Sequence, residues 1–485
     1  MLWDRFVAPC RALALPLALI VCMAGGEVAA SDGTDVASSS VKRLSGRFAN
    51  GMTYYIVRLD TPEAKVSFNL VVRVGQLNDR ANPQTAHVVE HIVITKLGGI
   101  ESKGSLWLRV ARFGGRDVNG GTGSFDTSYH VTMPGGDPAA LGVGLDILTD
   151  WATPGQLSDE EIDRELKVVT EESRRAGVEG ITPEQYQQQS WFAGHPLLDM
   201  SPMRFGDARA TSASVRQLYR RYYVPANMAV VIAGDVDPEA VLRILSARIG
   251  ALPAAAAPPK PIAVPAASLK GGHYRALPNG GSKETYLDIS FKQRPAAPAQ
   301  RAKMAAIAQI LSRLATQGFA NLAEREGAPL VSGSISRSSD FARQYHTDLV
   351  MARVSVRRGA ASEALVEALR LIATLRRTGF AASDVRRAQA ELLAAPPPQP
   401  EADGEAARWS EFFASGELPP TRADIRAELA RLSVRDVNAA LAAWLDPATR
   451  DIFIVHAARD AGRLPAPADI PTLIAKAEQA APRER

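Results

Sequence analysis

One arrangement of residues occurs twice in this 485-residue chain, and it constrains the fold more than any other feature. TSASVRQLYRRYYVPANMAVVIAGDVD, residues 211 to 237, runs from a polar start through a helical stretch to Pro225-Ala226 and an apolar strand. LSVRDVNAALAAWLDPATRDIFIVHAA, residues 432 to 458, repeats that order, with Pro447-Ala448 before IFIV. Between them, ALPAAAAPPKPIAVPAAS (251–268) is rich in Ala and Pro, lacks helical or strand periodicity, and reads as a semi-rigid linker. A matched pair of segments flanking a linker points to a duplicated α+β unit, with one domain over 41–250, a second over 269–460 and a tail over 461–485.

Strand signals are clear in MTYYIVRL, VSFNLVVRVG, SYHVTM and MAVVIAG. Helices are expected near 84–97, 137–152, 159–177 and 211–222 in the first half, and near 299–316 and 361–377 in the second. Asp137-Pro138 and Ser158-Asp159-Glu160-Glu161 supply start signals for two of them. The stretch APPPQPEADGE (395–405) reads as a Pro-rich loop inside the second half.

Residues 1–30 are set apart. Arg5 and Arg11 precede the apolar run ALALPLALIVCMAGG, and Val28-Ala29-Ala30 offers a small-residue cleavage site before Ser31, the layout of a secretory signal peptide. The apolar run is short for a membrane anchor, and bulky Val21 before Cys22 disfavours a lipoprotein. The expected destination is the periplasm or the exterior. Both cysteines, Cys10 and Cys22, lie in this segment, so the mature chain would have no disulfide and no thiol nucleophile. Any metal in it would be held by nitrogen and oxygen. A net charge of +4 with no basic block does not suggest a nucleic-acid partner. No G-x-S-x-G elbow occurs, and no further apolar stretch is long enough to span a membrane.

TAHVVEHIVI (85–94) carries two of the seven histidines four positions apart. On a helix His87 and His91 point the same way, and Glu90 lies on the flank of that face. Two imidazoles that hold an ion with an open position for water, beside a carboxylate that takes a proton, make the geometry of metal-assisted hydrolysis. The plainer reading is an exposed helix with a satisfied histidine pair. The other histidines are isolated along the sequence.

His-x-x-Glu-His reverses the common zinc-protease order, and the chain resembles the pitrilysin family, which includes insulin-degrading enzyme and the mitochondrial processing peptidase. GMTYYIVRLDTPEAKVSFNLVVRVGQLND (51–79) is similar to the strand pair that leads into the zinc helix of that family. The resemblance implies two homologous domains, each a mainly antiparallel sheet packed against helices, together forming half of a clamshell. It implies one Zn²⁺ per chain, held by His87, His91 and, from RELKVVTEESRR (164–175), Glu172. Glu90 would be the catalytic base, and Glu165, seven residues before Glu172 and on the same helix face, would orient the site. Glu171 points about 100° away and is the poorer candidate.

GGRDVNGGTGSFDTSYH resembles the family's region after the zinc helix, with Asn119, Thr122, Thr127 and Tyr129 at its spacing. There the family pairs an edge strand with substrate backbone, which assigns Asn119 and Thr122 to substrate binding. Gly120 and Gly121 stand where bulkier residues are usual. A phosphate loop is excluded, since no Lys-Ser/Thr follows and no helix starts there.

In half-length members of the family the closing domain contributes an Arg and, seven residues on, a Tyr that stabilise the oxyanion. In LAEREGAPLVSG (322–333), Ala323 and Leu330 occupy those places. Arg216 and Tyr223 have the separation but sit in the first half and read as structural. The resemblance therefore implies a zinc endopeptidase subunit of a heterodimer, whose partner, a second half-length chain, supplies Arg and Tyr. The alternatives are an active homodimer or monomer with another oxyanion donor, and a non-catalytic peptide-binding or assembly subunit.

Overall fold

A computed structural model describes residues 42–481, apart from 61–63, 80, 83, 96–102, 154, 180–181, 200–209, 255–256, 258–259, 280–282 and 397–398. The expected signal peptide, 1–30, lies outside the described residues. No described helix is long and apolar enough to cross a membrane.

The described chain separates into two compact units, one from residues up to 264 with 392–428, the other from 265–391 with 429 onwards. In the first, β1 (Arg43–Arg47), β2 (Thr53–Arg58), β3 (Lys65–Val72), β4 (Arg116–Thr122), β5 (Thr127–Pro134) and β6 (Met228–Gly234) form a sheet in the order β1-β2-β6-β3-β5-β4. In the second, β7 (Tyr274–Pro278), β8 (Tyr286–Gln293), β9 (Leu330–Ser338), β10 (Asp348–Val356) and β11 (Arg450–His456) are ordered β7-β11-β8-β10-β9. Strand for strand, β2-β6-β3-β5-β4 and β7-β11-β8-β10-β9 are the same topology. One parallel pair occurs in each, β2 with β6 and β7 with β11, and the other pairings are antiparallel.

The repeated segments map onto the repeat. Helix Ser212–Tyr222, a short turn at Pro225–Asn227 and β6 are matched by helix Val434–Trp444, a turn at Pro447–Thr449 and β11. In each copy a hydroxyl caps the helix: the side chains of Thr211 and Ser433 accept the backbone N–H three residues on. The duplicated α+β architecture, mainly antiparallel sheets against helices, is therefore present.

Two helices frame the site. The first, α1 (Thr85–Thr95), is nearly all apolar outside its His and Glu positions, and most of it is buried. Val88, Val89, Ile92, Val93 and Ile94 are β-branched and weak helix formers, so burial in the core rather than propensity holds it helical. The second, α2 (Asp159–Glu179), starts where expected: Ser158 and Glu161 exchange side-chain-to-backbone hydrogen bonds, a capping box.

The loop expected over 395–405 is only partly one. Helix α3 (Ala402–Ser415) begins within it and packs on the face of the first sheet opposite α1. Ala406, Trp409 and Phe413, at helical spacing, join Tyr55, Val57, Val71 and Val231 in a second core. With both faces covered, β6 is buried throughout, which is why MAVVIAG is a continuous apolar run rather than an alternating one. The stretch gave no sign of this because most of its buried face is small, Ala402, Ala406, Ser410, Ala414 and Ser415, with only Trp409 and Phe413 large.

Candidate metal centre

His87 and His91, one turn apart on α1, turn their rings edge to face with centroids 4.8 Å apart. Glu172, from the middle of α2, brings one oxygen to both: its Oε2 lies 3.8 Å from His87 Nε2 and 3.6 Å from His91 Nε2. Two ligands bound at about 2.0–2.2 Å to one tetrahedral ion stand about 3.3–3.5 Å apart, so small side-chain adjustments let the three donors close on a zinc-sized ion. Two imidazoles and a carboxylate are a donor set of catalytic zinc sites, which keep one position open. The residues fit the metal the resemblance implies. Glu171 does not compete. Arg174 and Arg175 hydrogen-bond its carboxylate and hold it down to about 2.

Both rings are oriented from behind. His91 Nδ1 lies 3.2 Å from Glu165 Oε2, and His87 Nδ1 lies 3.1 Å from Gln84 Oε1. A proton on each Nδ1 satisfies these acceptors and leaves the Nε2 lone pairs for a metal. Burial works against charge on His91, but the Glu165 hydrogen bond and the charges of Glu90 and Glu172 outweigh it and lift its pKa above the ordinary value. Glu165 is the counterpart: burial pushes it up, and hydrogen bonds from His91 and Arg164 bring it below the usual carboxylate range. Gln84 carried no mark in the sequence, since its only visible property is standing three residues before His87.

Glu90 is the buried member, 5% exposed. Its Oε2 is 3.9 Å from His87 Nε2 and accepts a hydrogen bond from the Thr122 hydroxyl at 3.3 Å. Gly120 backs the other oxygen: a Cβ there would collide with Glu90 Oε1. Successive strand residues face opposite ways, so Gly120 and Thr122 share the Glu90 face of β4, and Asn119, which is exposed, lies on the other. The structure thus brings Thr122 to the site and leaves Asn119 away from Glu90. Among the described strands β4 is the sheet's edge and pairs only with β5. Below, the hydroxyls of Tyr129 and Tyr223 hydrogen-bond at 2.6 Å, fully buried. Desolvation and the Glu90 charge keep Tyr129 neutral, and desolvation, the largest cause, does the same for Tyr223. Arg216 is engaged with Asp159 and the Leu157 carbonyl. Neither Arg216 nor Tyr223 is thus set up as an oxyanion donor. On distance alone Glu90 competes for the same ion, since donor atoms of His87, Glu90 and His91 lie within 4.8 Å of one another; what favours Glu172 is the single oxygen it brings to both imidazoles.

Comparison with known proteins places the chain among peptidases. Residues 55–188 match the model for insulinase, peptidase family M16, and 209–392 match that for the M16 inactive domain. The probable zinc protease PqqL of Escherichia coli is 31% identical over 222 residues, covering 44% of this chain and 23% of that protein. The zinc protease PqqE of Helicobacter pylori is 25% identical over 209 residues, covering 42% of this chain and 46% of that one. The matched segments thus span less than half of these curated relatives. The fold superposes on the first half of the periplasmic protease PqqL from E. coli with a TM-score of 0.76 at 19% identity, covering 92% of this chain and 98% of that one. On pitrilysin the TM-score is 0.66 at 17% identity, covering 92% of this chain and 49% of that one. With both M16 domain models matched in sequence order, the chain belongs to the M16 peptidases, the insulinase and pitrilysin-like family.

Proposed function

We propose that this chain is the zinc-bearing subunit of an exported metalloendopeptidase, completed by a second half-length chain of the same family. The observation that carries the reading is the approach of one Glu172 oxygen to both histidine Nε2 atoms, while Glu90 Oε2, 3.9 Å from His87 Nε2, is engaged by the Thr122 hydroxyl. In this reading His87, His91 and Glu172 hold Zn²⁺, and Glu165 orients His91. A zinc ion there supplies Lewis-acid polarisation of the scissile carbonyl and acidifies water. The Glu90 carboxylate takes the proton of the attacking water and returns it to the leaving amide nitrogen. Its burial keeps it out of competition with bulk solvent, and Thr122 and Gly120 fix where its oxygens lie. The free edge of β4 is the place for the substrate backbone to add as a further strand.

Two things support a partner. Ala323 ends a helix and Leu330 is fully buried at the start of β9, so neither the Arg nor the Tyr of the closing half is present, and a tyrosine could not replace Leu330 without leaving the core. The fold likeness is to one half of larger proteases. Export is supported by the layout of residues 1–30 and by the description of the similar E. coli protein as periplasmic. Peptide cleavage and bound zinc, measured together on the assembled enzyme, test the reading. A chain that binds zinc at other residues, or an assembled enzyme that hydrolyses no peptide, would overturn it.

Gly120→Ala probes Glu90 placement. A methyl group there must push Glu90 Oε1 aside, and displacements of about 1 Å at a reacting group cost up to about 10²-fold. The expected outcome is a ten- to hundredfold drop in kcat with zinc content unchanged; a kcat equal to wild type would show that Glu90 has room to spare.

A further inference from the structure

Gln84 occupies a conformation its side chain should avoid. Its φ is +72°, in the left-handed region where a Cβ crowds the backbone and glycine is the ordinary occupant. Asn and Asp relieve such strain with short polar side chains; the longer Gln does so less well. The position is not solvated either, because Gln84 is 8% exposed. Its carbonyl accepts from Val88 N at 2.9 Å, the first hydrogen bond of α1, which any residue could provide. The start of the helix is anchored independently, since Thr85 Oγ1 donates to the Asn82 carbonyl at 2.7 Å and meets Ser214 Oγ at 3.0 Å. The one interaction peculiar to the side chain is the Oε1 contact to His87 Nδ1.

We infer that Gln84 is a positioning residue for the metal centre: it accepts the Nδ1 proton of His87, fixing the ring's tautomer and rotation so that Nε2 is presented toward Glu172, and this is what the strained backbone is retained for. The inference rests on the zinc reading above. Both rings are then supported from behind, His91 by a carboxylate and His87 by a neutral amide, so that only one of the two is buttressed by a charge.

The test separates stability from metal affinity. In Gln84→Gly the backbone takes φ +72° without strain, so the metal-free full-length chain should melt at the same temperature as wild type or higher. Its zinc Kd, measured by competition with a chromophoric chelator, should rise 10–100-fold, the usual effect of removing a group that orients a ligand. Gln84→Glu restores an acceptor and should bring Kd to within a few-fold of wild type. A Gln84→Gly chain that binds zinc as tightly as wild type overturns the inference, as does one that loses affinity only in step with a lowered melting temperature. His91→Ala, measured alongside, reports on the underlying reading. If His91→Ala also leaves Kd unchanged, the metal is elsewhere and the zinc reading itself fails; if it abolishes binding while Gln84→Gly does not, only the role of Gln84 falls.

Discussion

Glu90→Gln leaves zinc bound and lowers peptide cleavage by the assembled enzyme about 10²–10⁴-fold, the range expected for loss of a general base. The substitution keeps volume and a hydrogen-bond acceptor for Thr122, so the helix and the three metal donors should be undisturbed. It removes only the ability to take a proton. Because Glu90 is packed against Gly120 on one side and Thr122 on the other, no neighbouring carboxylate can swing into its place: Glu165 is engaged by His91 and Arg164, and Glu171 by two arginines. Cleavage at a near-normal rate in this variant, assayed with a quenched fluorescent peptide library, would assign the base elsewhere.

The second large effect concerns completeness. The zinc-loaded chain alone is expected to cleave the same library about 10²–10³-fold more slowly than the chain mixed with a half-length family member that carries Arg-x₆-Tyr and lacks His-x-x-Glu-His, since one missing oxyanion donor costs about that much. Ala323→Arg with Leu330→Tyr should not substitute for the partner, because Leu330 is wholly buried and a tyrosine there would overpack the core before reaching a substrate. Full activity of the chain by itself, unaltered by the second chain, would mean that another donor stabilises the oxyanion.

Much of the architecture was legible because it repeats. Two helix–turn–strand segments with Pro-Ala at the same place fold into the same topology, and the strands around β6 were marked by unbroken apolar runs. The histidine pair was legible for a different reason: helical periodicity alone puts His87, His91 and the flanking Glu90 together. Their partners across space were less so. Glu172 and Glu165 follow from a two-turn spacing on α2 only once the family resemblance selects that helix. Gln84 could not be found, because an amide carries no signature and its left-handed φ belongs to the backbone. Gly120 was visible, but as a missing bulk at a substrate edge; the structure gives it a reason, the close approach of Glu90. The plainer reading of TAHVVEHIVI as an exposed helix fails on burial, since its apolar residues lie in the core. The helix over 402–415 was hidden by the prolines that precede it, and its attachment to the first sheet rests on contacts far apart in sequence, such as Asn69 with Ser410 and Arg73 with the Phe413 carbonyl.

The separation of metal ligands from the proton-handling carboxylate is the centre of this account, and zinc content tests it most directly. Metal per chain would be determined by atomic absorption for the wild-type protein, Glu90→Gln and Glu172→Gln, each dialysed against the same low concentration of chelator. The expected result is about one zinc per chain for the first two and little or none for the third, whose loss leaves two neutral ligands. Zinc lost from Glu90→Gln but retained by Glu172→Gln would reverse the assigned roles and contradict the account.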